Sequence, residues 1–208
     1  MSQIIVAQSV HGIVLAAEKR AICLNEKGEE IFLTVDRLIP LAPACALIAG
    51  GAVEGVEMGK SLKEFLRGEG LNDVQDLYGA SLAYLGTEHD RLMRKNCEIV
   101  PIDPIHHVSF ILAGKTAQDK TKPFRLYYLW TKKRLPQLDG DEIGYAFCLP
   151  RRMGLEYQLN QMGKANASLE ELVTKMKEGI DKFRVEGSVN GPFSWGRISG
   201  AGFESLTP

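Results

Sequence analysis

The sequence lacks the long apolar run, the charge imbalance and the targeting signal that would assign it to several common protein classes. No apolar run reaches the ~18 residues that a membrane-spanning helix needs. The apolar run at residues 4–7 is too short for a signal peptide, and no basic segment precedes it. The net charge of −1 creates no basic field that would attract nucleic acid. We therefore expect a cytoplasmic protein that binds neither membranes nor nucleic acid.

The cysteine pattern also excludes the usual metal and disulfide frameworks. The sequence has four widely separated cysteines and no C-x-x-C pair: Cys23, Cys45, Cys97 and Cys148. Their mostly apolar neighbours favour buried free thiols. His106 and His107 are adjacent, but no carboxylate or third ligand stands at a useful spacing, which favours a turn or an interface over a metal site. We expect no metal and no cofactor.

Nothing in the sequence divides the chain into parts. It contains no linker rich in Pro, Gly or Ser, no internal repeat and no low-complexity segment. Apolar residues make up 45% and charged residues 25%, which is ordinary for a globular protein. A chain of 208 residues is long enough to bury a substantial core. We expect a single domain that spans residues 1–208.

The spacing of apolar residues predicts strands, two helices, strands, two helices and a last strand. The predicted strands are residues 4–7, 13–17, 31–35, 44–49, 107–113, 124–131, 143–149 and 193–199. The predicted helices are residues 52 to about 68, 72 to about 95, 151–162 and a segment opened by the capping box Ser168–Glu171. Prolines should keep residues 36–40 irregular or at a sheet edge, and residues 139–142 are predicted to form a charged loop. Two antiparallel sheets, each carrying one helix pair, would bury all these apolar surfaces.

The first twenty-one residues carry the most specific pattern. Two short apolar runs flank a turn at Gly12, and the second run ends in the charged residues Glu18-Lys19-Arg20. The segment Val14–Ala21 resembles the opening of proteasome β-type subunits. Counting back from Arg20, Ser2 falls at the nucleophile position of that family, which is usually threonine. Ile48-Ala49-Gly50 resembles the glycine turn that precedes the first long helix of the family.

The resemblance implies an α+β fold, a four-layer αββα sandwich, and a candidate active site of the N-terminal nucleophile (Ntn) hydrolase type. After removal of Met1, Ser2 would supply both the nucleophilic hydroxyl and an α-amine with an ordinary pKa near ~8 as base. Glu18 and Arg20 would be orienting charges, although an ion pair that closes the strand end explains them equally well. The N–H of Gly50 would stabilise the oxyanion. Ser188 matches a serine that follows the last long helix of the family.

Two positions depart from the family pattern and set the two functional hypotheses. Glu30 stands where the family has a lysine, and a carboxylate there would raise the pKa of a nearby ammonium rather than lower it. Val185 stands at the position of an aspartate. The first hypothesis is therefore a catalytically diverged or inactive subunit that assembles with copies of itself into a ring or stacked rings. The alternative is an active N-terminal serine peptidase or amidase that uses Ser2, with small-molecule amides as a further substrate class.

Overall fold

The structure is a computed structural model, and it describes residues 2–24, 30–97, 107–131 and 138–207. In these ranges the chain forms the helices α1 (Glu54–Glu69), α2 (Val74–Cys97), α3 (Met153–Lys164) and α4 (Leu169–Val185). The strands are β1 (Ile4–Ser9), β2 (Gly12–Glu18), β3 (Arg20–Leu24), β4 (Glu30–Thr34), β5 (Leu38–Ala42), β6 (Cys45–Gly51), β7 (Val108–Lys115), β8 (Phe124–Thr131), β9 (Leu138–Ile143), β10 (Ala146–Leu149), β11 (Phe193–Ser199) and β12 (Gly202–Leu206).

The strands form two five-stranded antiparallel sheets and one small hairpin. The first sheet has the order β10-β1-β2-β11-β12, and the second has the order β5-β6-β7-β8-β9. Strands β3 and β4 pair only with each other in the described part of the chain. The turn between β1 and β2 requires glycine, because a Cβ atom on Gly12, at φ +146°, would lie 2.1 Å from the carbonyl oxygen of Ile198.

The two faces of each central strand are both apolar because each is covered. In β1, Ile4 and Val6 belong to a buried cluster made by residues of both five-stranded sheets. Ile5 and Ala7 point the other way, into a cluster that includes residues of α3 and α4. The same alternation in β6 directs Leu47 toward the cluster beneath α1 and α2. Burial on both faces explains the uninterrupted apolar runs of these strands.

Each helix pair contacts one of the five-stranded sheets. Helices α1 and α2 pack on the sheet of β5–β9, and α3 and α4 pack on β1, β2 and β10. Helix α4 begins at the predicted capping box, in which Ser168 Oγ accepts a 3.2 Å hydrogen bond from the Glu171 N–H. None of the helices in the described ranges is long and apolar enough to cross a membrane.

The order of the major elements is confirmed, but several strand predictions were wrong. The segment Asp139–Glu142 is not a loop; it lies within β9, an edge strand whose charged residues are tolerated because one edge is open. The predicted strand at residues 143–149 is split between β9 and β10, which belong to different sheets. The segment around Pro40 forms the edge strand β5, which is one of the two outcomes that the sequence predicted, whereas β3 and β12 were not predicted. His106 and the prolines between residues 98 and 106 lie outside the described residues.

Candidate active site

Ser2, Glu18 and Arg20 are brought together by the pairing of β1 with β2. Ile4 pairs with Ala17, so the residues before β1 lie beside the end of β2. The Ser2 hydroxyl donates a hydrogen bond to the carbonyl oxygen of Arg20, at the first position of β3. Ser2 itself is almost buried, with 9% of its surface exposed. The antiparallel register therefore brings Ser2 close to both charged positions that the sequence singled out.

Glu18 is a buried carboxylate that binds backbone amides rather than an arginine. Its side chain accepts hydrogen bonds from the N–H groups of Gln3 at 3.0 Å, Gly191 at 2.8 Å and Asn190 at 3.2 Å. These bonds tie the start of β1 to the loop that precedes β11. Charge-assisted bonds of this kind are stronger than bonds between neutral groups. Glu18 thus fixes the backbone of Gln3, the residue directly after Ser2.

The alternative interpretation of Glu18 and Arg20 as an ion pair is wrong. No ion pair between their side chains is present, and the Arg20 guanidinium lies over the ring of Phe32, 3.7 Å from its centroid. It is the Arg20 carbonyl oxygen, rather than its side chain, that contacts Ser2. Arg20 therefore contributes its backbone to the candidate site.

The cation of the site is Arg37, which the sequence analysis missed. Arg37 lies in the segment that connects β4 to β5, and its side chain is completely buried. Its Nη2 donates to the carbonyl oxygen of Arg20 at 3.2 Å, and its Nη1 donates to that of Ala49 at 3.0 Å. Burial lowers the pKa of Arg37, and the negative charge of Glu18 opposes this shift. The available signal was a charged Asp36-Arg37 pair between two apolar strand segments.

Gly50 lies on the far side of Arg37, directly after Ala49 in β6. A Cβ atom on Gly50 would lie 2.7 Å from Ser109 Oγ and 3.0 Å from Ile4 Cδ1, so a larger residue would have to displace these two side chains. The connection from Ser2 to Gly50 runs through the Arg20 carbonyl, the Arg37 guanidinium and the Ala49 carbonyl. The glycine turn is therefore part of the same cluster of residues.

Ser188 reaches the site only indirectly. Its hydroxyl accepts a 2.7 Å hydrogen bond from Arg152 Nη2 and donates a 3.1 Å bond to the carbonyl oxygen of Phe183. Arg152 Nε in turn donates to the side-chain oxygen of Gln3 at 3.1 Å. Two side chains thus separate Ser188 from Ser2. Val185 is 89% exposed at the end of α4, and the side chain of Glu30 lies outside the described residues.

Cys148, which pairs with Ile5 across β10 and β1, is a buried free thiol. Burial raises the pKa of the Cys148 thiol to about 12, so the reactive thiolate is scarce at neutral pH. Across the described ranges, no group of three or more His, Cys, Asp or Glu side chains is arranged to hold a metal ion.

Comparisons with known proteins relate the chain by its fold alone. No protein-family model matches it, and no curated protein matches it. Among solved structures, the comparison shows a proteasome-like fold. One such structure is that of the Anbu (Gly-1) mutant from Hyphomicrobium sp. strain MC1. The match has a TM-score of 0.67 and 14% sequence identity, and it covers 100% of this chain and 86% of that chain.

Proposed function

We propose that residues 1–208 form one domain, a four-layer αββα sandwich, which acts as a proteasome-like subunit. The support is the set of three buried clusters, one under each helix pair and one made by residues of both sheets. Three apolar interfaces in this order are what four stacked layers require.

We further propose that Ser2 is the nucleophile of a hydrolase that cleaves a peptide or amide bond after residue 1 has been removed. The observation that carries this proposal is the buried Arg37 guanidinium, which binds the same carbonyl oxygen as the Ser2 hydroxyl. A fixed positive charge close to a free Ser2 α-ammonium lowers the pKa of that group, because like charges disfavour each other. The amine is then neutral, and able to act as a base, near neutral pH.

Arg37 replaces the missing lysine only in part. A guanidinium stays protonated in proteins, so Arg37 holds charge at the site but takes no proton. The Ser2 α-amine accepts the hydroxyl proton as Ser2 Oγ bonds to the substrate carbonyl carbon. The Gly50 N–H stabilises the negative oxygen that forms, and the protonated α-amine then gives its proton to the departing amine. Water hydrolyses the resulting ester and restores Ser2.

The test combines intact mass with a covalent probe. We expect the purified protein to lack the mass of one methionine, and a β-lactone probe to add one equivalent. The Ser2→Ala variant should add none, whereas Ser205→Ala, which removes an exposed hydroxyl in β12, should label as the wild type does. Retention of residue 1, or equal labelling of Ser2→Ala, would exclude Ser2 as the nucleophile.

A second candidate function is that of a non-catalytic subunit. It is supported by the surroundings of Val185 and Ser188. Val185 carries no charge and is exposed, and Arg152 engages the Ser188 hydroxyl. This arrangement gives Ser188 a structural role. If intact mass shows that residue 1 has been removed and the β-lactone probe still does not label Ser2, the result would favour this function. Both functions include assembly with further copies of the chain, and light scattering that shows a strict monomer at micromolar concentration would oppose that part of the proposal.

A further inference from the structure

A groove of about 650 Å³ lies between β8, β9 and β10 and is not used by the mechanism above. Three aromatic rings form one wall. Tyr128 and Trp130 stack with ring centroids 5.1 Å apart, and Phe147 lies 4.8 Å from Tyr128. Because Tyr128 and Trp130 are two residues apart on β8, their side chains share one face of the strand. We refer to this site as the aromatic groove.

The aromatic groove adjoins the candidate active site. Leu149 lines the groove, pairs with Ile4 and lies 3.4 Å from the position of a Cβ atom on Gly50. Tyr128 pairs with Ile111 of β7, two residues from Ser109, whose hydroxyl faces Gly50. A peptide whose carbonyl group lay at Ser2 and Gly50 would therefore place a neighbouring side chain at the mouth of this groove.

The groove carries one carboxylate, Asp141, that has no partner among the residues that the structure describes. Asp141 lines the groove opposite Tyr128, and it makes no ion pair or hydrogen bond with any residue in the described ranges. The other charges are neutralised. Glu156 binds Arg151 through two contacts of 2.8 and 2.7 Å, and Glu142 accepts from Arg125 at 2.8 Å.

The geometry points to a lysine or arginine side chain of a peptide substrate as the occupant of the aromatic groove. Cations are attracted to the faces of aromatic rings, most strongly to tryptophan, and Asp141 supplies the opposite charge. The alkyl stem of either side chain covers apolar surface while its charged end reaches the carboxylate. The description of the occupant as a substrate rests on the proposed function, but the recognition of a cation does not.

Fluorescence of Trp130 tests this proposal without any turnover. The Ser2→Ala variant of the full chain is titrated with Nα-acetyl-arginine amide and Nα-acetyl-lysine amide. We expect a saturable change that is lost in Trp130→Phe, since Trp195 is buried elsewhere. Nα-acetyl-norleucine amide, which has a similar stem and no charge, should bind about fivefold more weakly or worse.

Substitutions at two acidic positions separate local recognition from a general charge effect. Asp141→Asn should weaken binding of the arginine derivative about fivefold, and Asp141→Lys should abolish it. Asp181→Asn, on exposed α4, should leave binding unchanged. Circular dichroism melting of each variant checks that it is folded.

Three outcomes would overturn the proposal: no saturable change with either cationic probe, equal binding of the norleucine derivative, or unchanged binding by Asp141→Asn. Tighter binding of Nα-acetyl-glutamate amide would instead assign the groove to an anion held by Arg151. If the β-lactone probe does not label the protein but the arginine derivative still binds, the hydrolase proposal is rejected and the proposal of a cation site is supported.

Discussion

Two pairs of opposite charges occupy neighbouring positions of the chain, and their surroundings differ completely. Glu18 and Arg37 are buried, with exposures of 3% and 0%. Lys19 and Asp36, each one residue away, form a 2.7 Å ion pair in which the aspartate side chain is 71% exposed. Glu18 and Arg37, the inner pair, contact the backbone around Ser2. Lys19 and Asp36, the outer pair, form an ion pair at the surface.

The difference shows that charge alone does not mark a functional residue. A buried charge is costly unless it is paired and hydrogen-bonded, so its removal disturbs every group that satisfies it. An exposed pair is screened by water and contributes little. The inner pair should therefore dominate both stability and the chemistry of Ser2, and four substitutions test this contrast.

The largest effect is expected for Glu18→Ala. The change leaves three backbone N–H groups without their acceptor and removes the negative charge that stabilises Arg37. We expect the free energy of unfolding to fall by about 3–5 kcal/mol, measured by urea denaturation with circular dichroism. Glu18→Gln keeps one acceptor oxygen and should lose less. A loss below about 1 kcal/mol for the alanine variant would contradict this account.

Arg37→Met should have the next largest effect. The carbonyl oxygens of Arg20 and Ala49 each lose a buried donor, while a similar volume is kept. We expect a loss of about 2–3 kcal/mol in urea denaturation. The same variant should also react more slowly with the β-lactone probe than Arg37→Lys, which keeps a positive charge. Equal labelling rates for the two variants would show that the charge of Arg37 does not affect the reactivity of Ser2.

Arg152→Ala tests a cation that is bound to the same network but only partly buried. Its hydrogen bonds go to the neutral side chains of Gln3 and Ser188. We expect a loss of about 1 kcal/mol in thermal or urea denaturation. Arg91→Ala, which removes a largely exposed guanidinium on α2, is the matched control and should change stability by less than that. An effect of Arg152→Ala as large as that of Arg37→Met would erase the contrast between buried and exposed cations.

The smallest effect is expected for Asp36→Asn. Hydrogen bonds from Lys19 and Ser194 lower the pKa of Asp36, so its carboxylate stabilises the fold above its unfolded-state pKa. Because the side chain is mostly exposed, the difference from the wild type at neutral pH should be a few tenths of a kcal/mol. That difference should disappear as the pH falls through the lowered pKa, since both proteins then carry a neutral group. A difference that persists in acid would assign the effect to packing.

Local patterns predicted the strands and helices that have two covered faces or a clear cap. The runs at residues 4–7 and 13–17 and the capping box at Ser168 are such cases, and all were confirmed. Strand β9 was missed because an open edge accepts charged residues, so its sequence is typical of a loop.

The residues of the candidate site were predictable only where they lie close together in the sequence. Ser2, Glu18 and Arg20 were named by the resemblance of residues 14–21 to proteasome β-type subunits, and the hairpin of β1 and β2 brings these residues together. Arg37 was missed because its partners are carbonyl oxygens of Arg20 and Ala49, and no side-chain pattern records which carbonyls face a buried cavity. The same limit applies to Ser188, whose connection to Gln3 depends on Arg152.

The carbonyl oxygen of Arg20 holds both the Ser2 hydroxyl and the Arg37 guanidinium, and Arg20 is the first residue of the β3–β4 hairpin. That hairpin carries an exposed apolar stretch, Ile31–Leu33, and pairs with neither large sheet. A force that displaces the hairpin therefore acts directly on the one atom at which the Ser2 hydroxyl and the Arg37 guanidinium meet. If Ser2 is the nucleophile, as we propose, a partner that contacts the hairpin surface would change its reactivity.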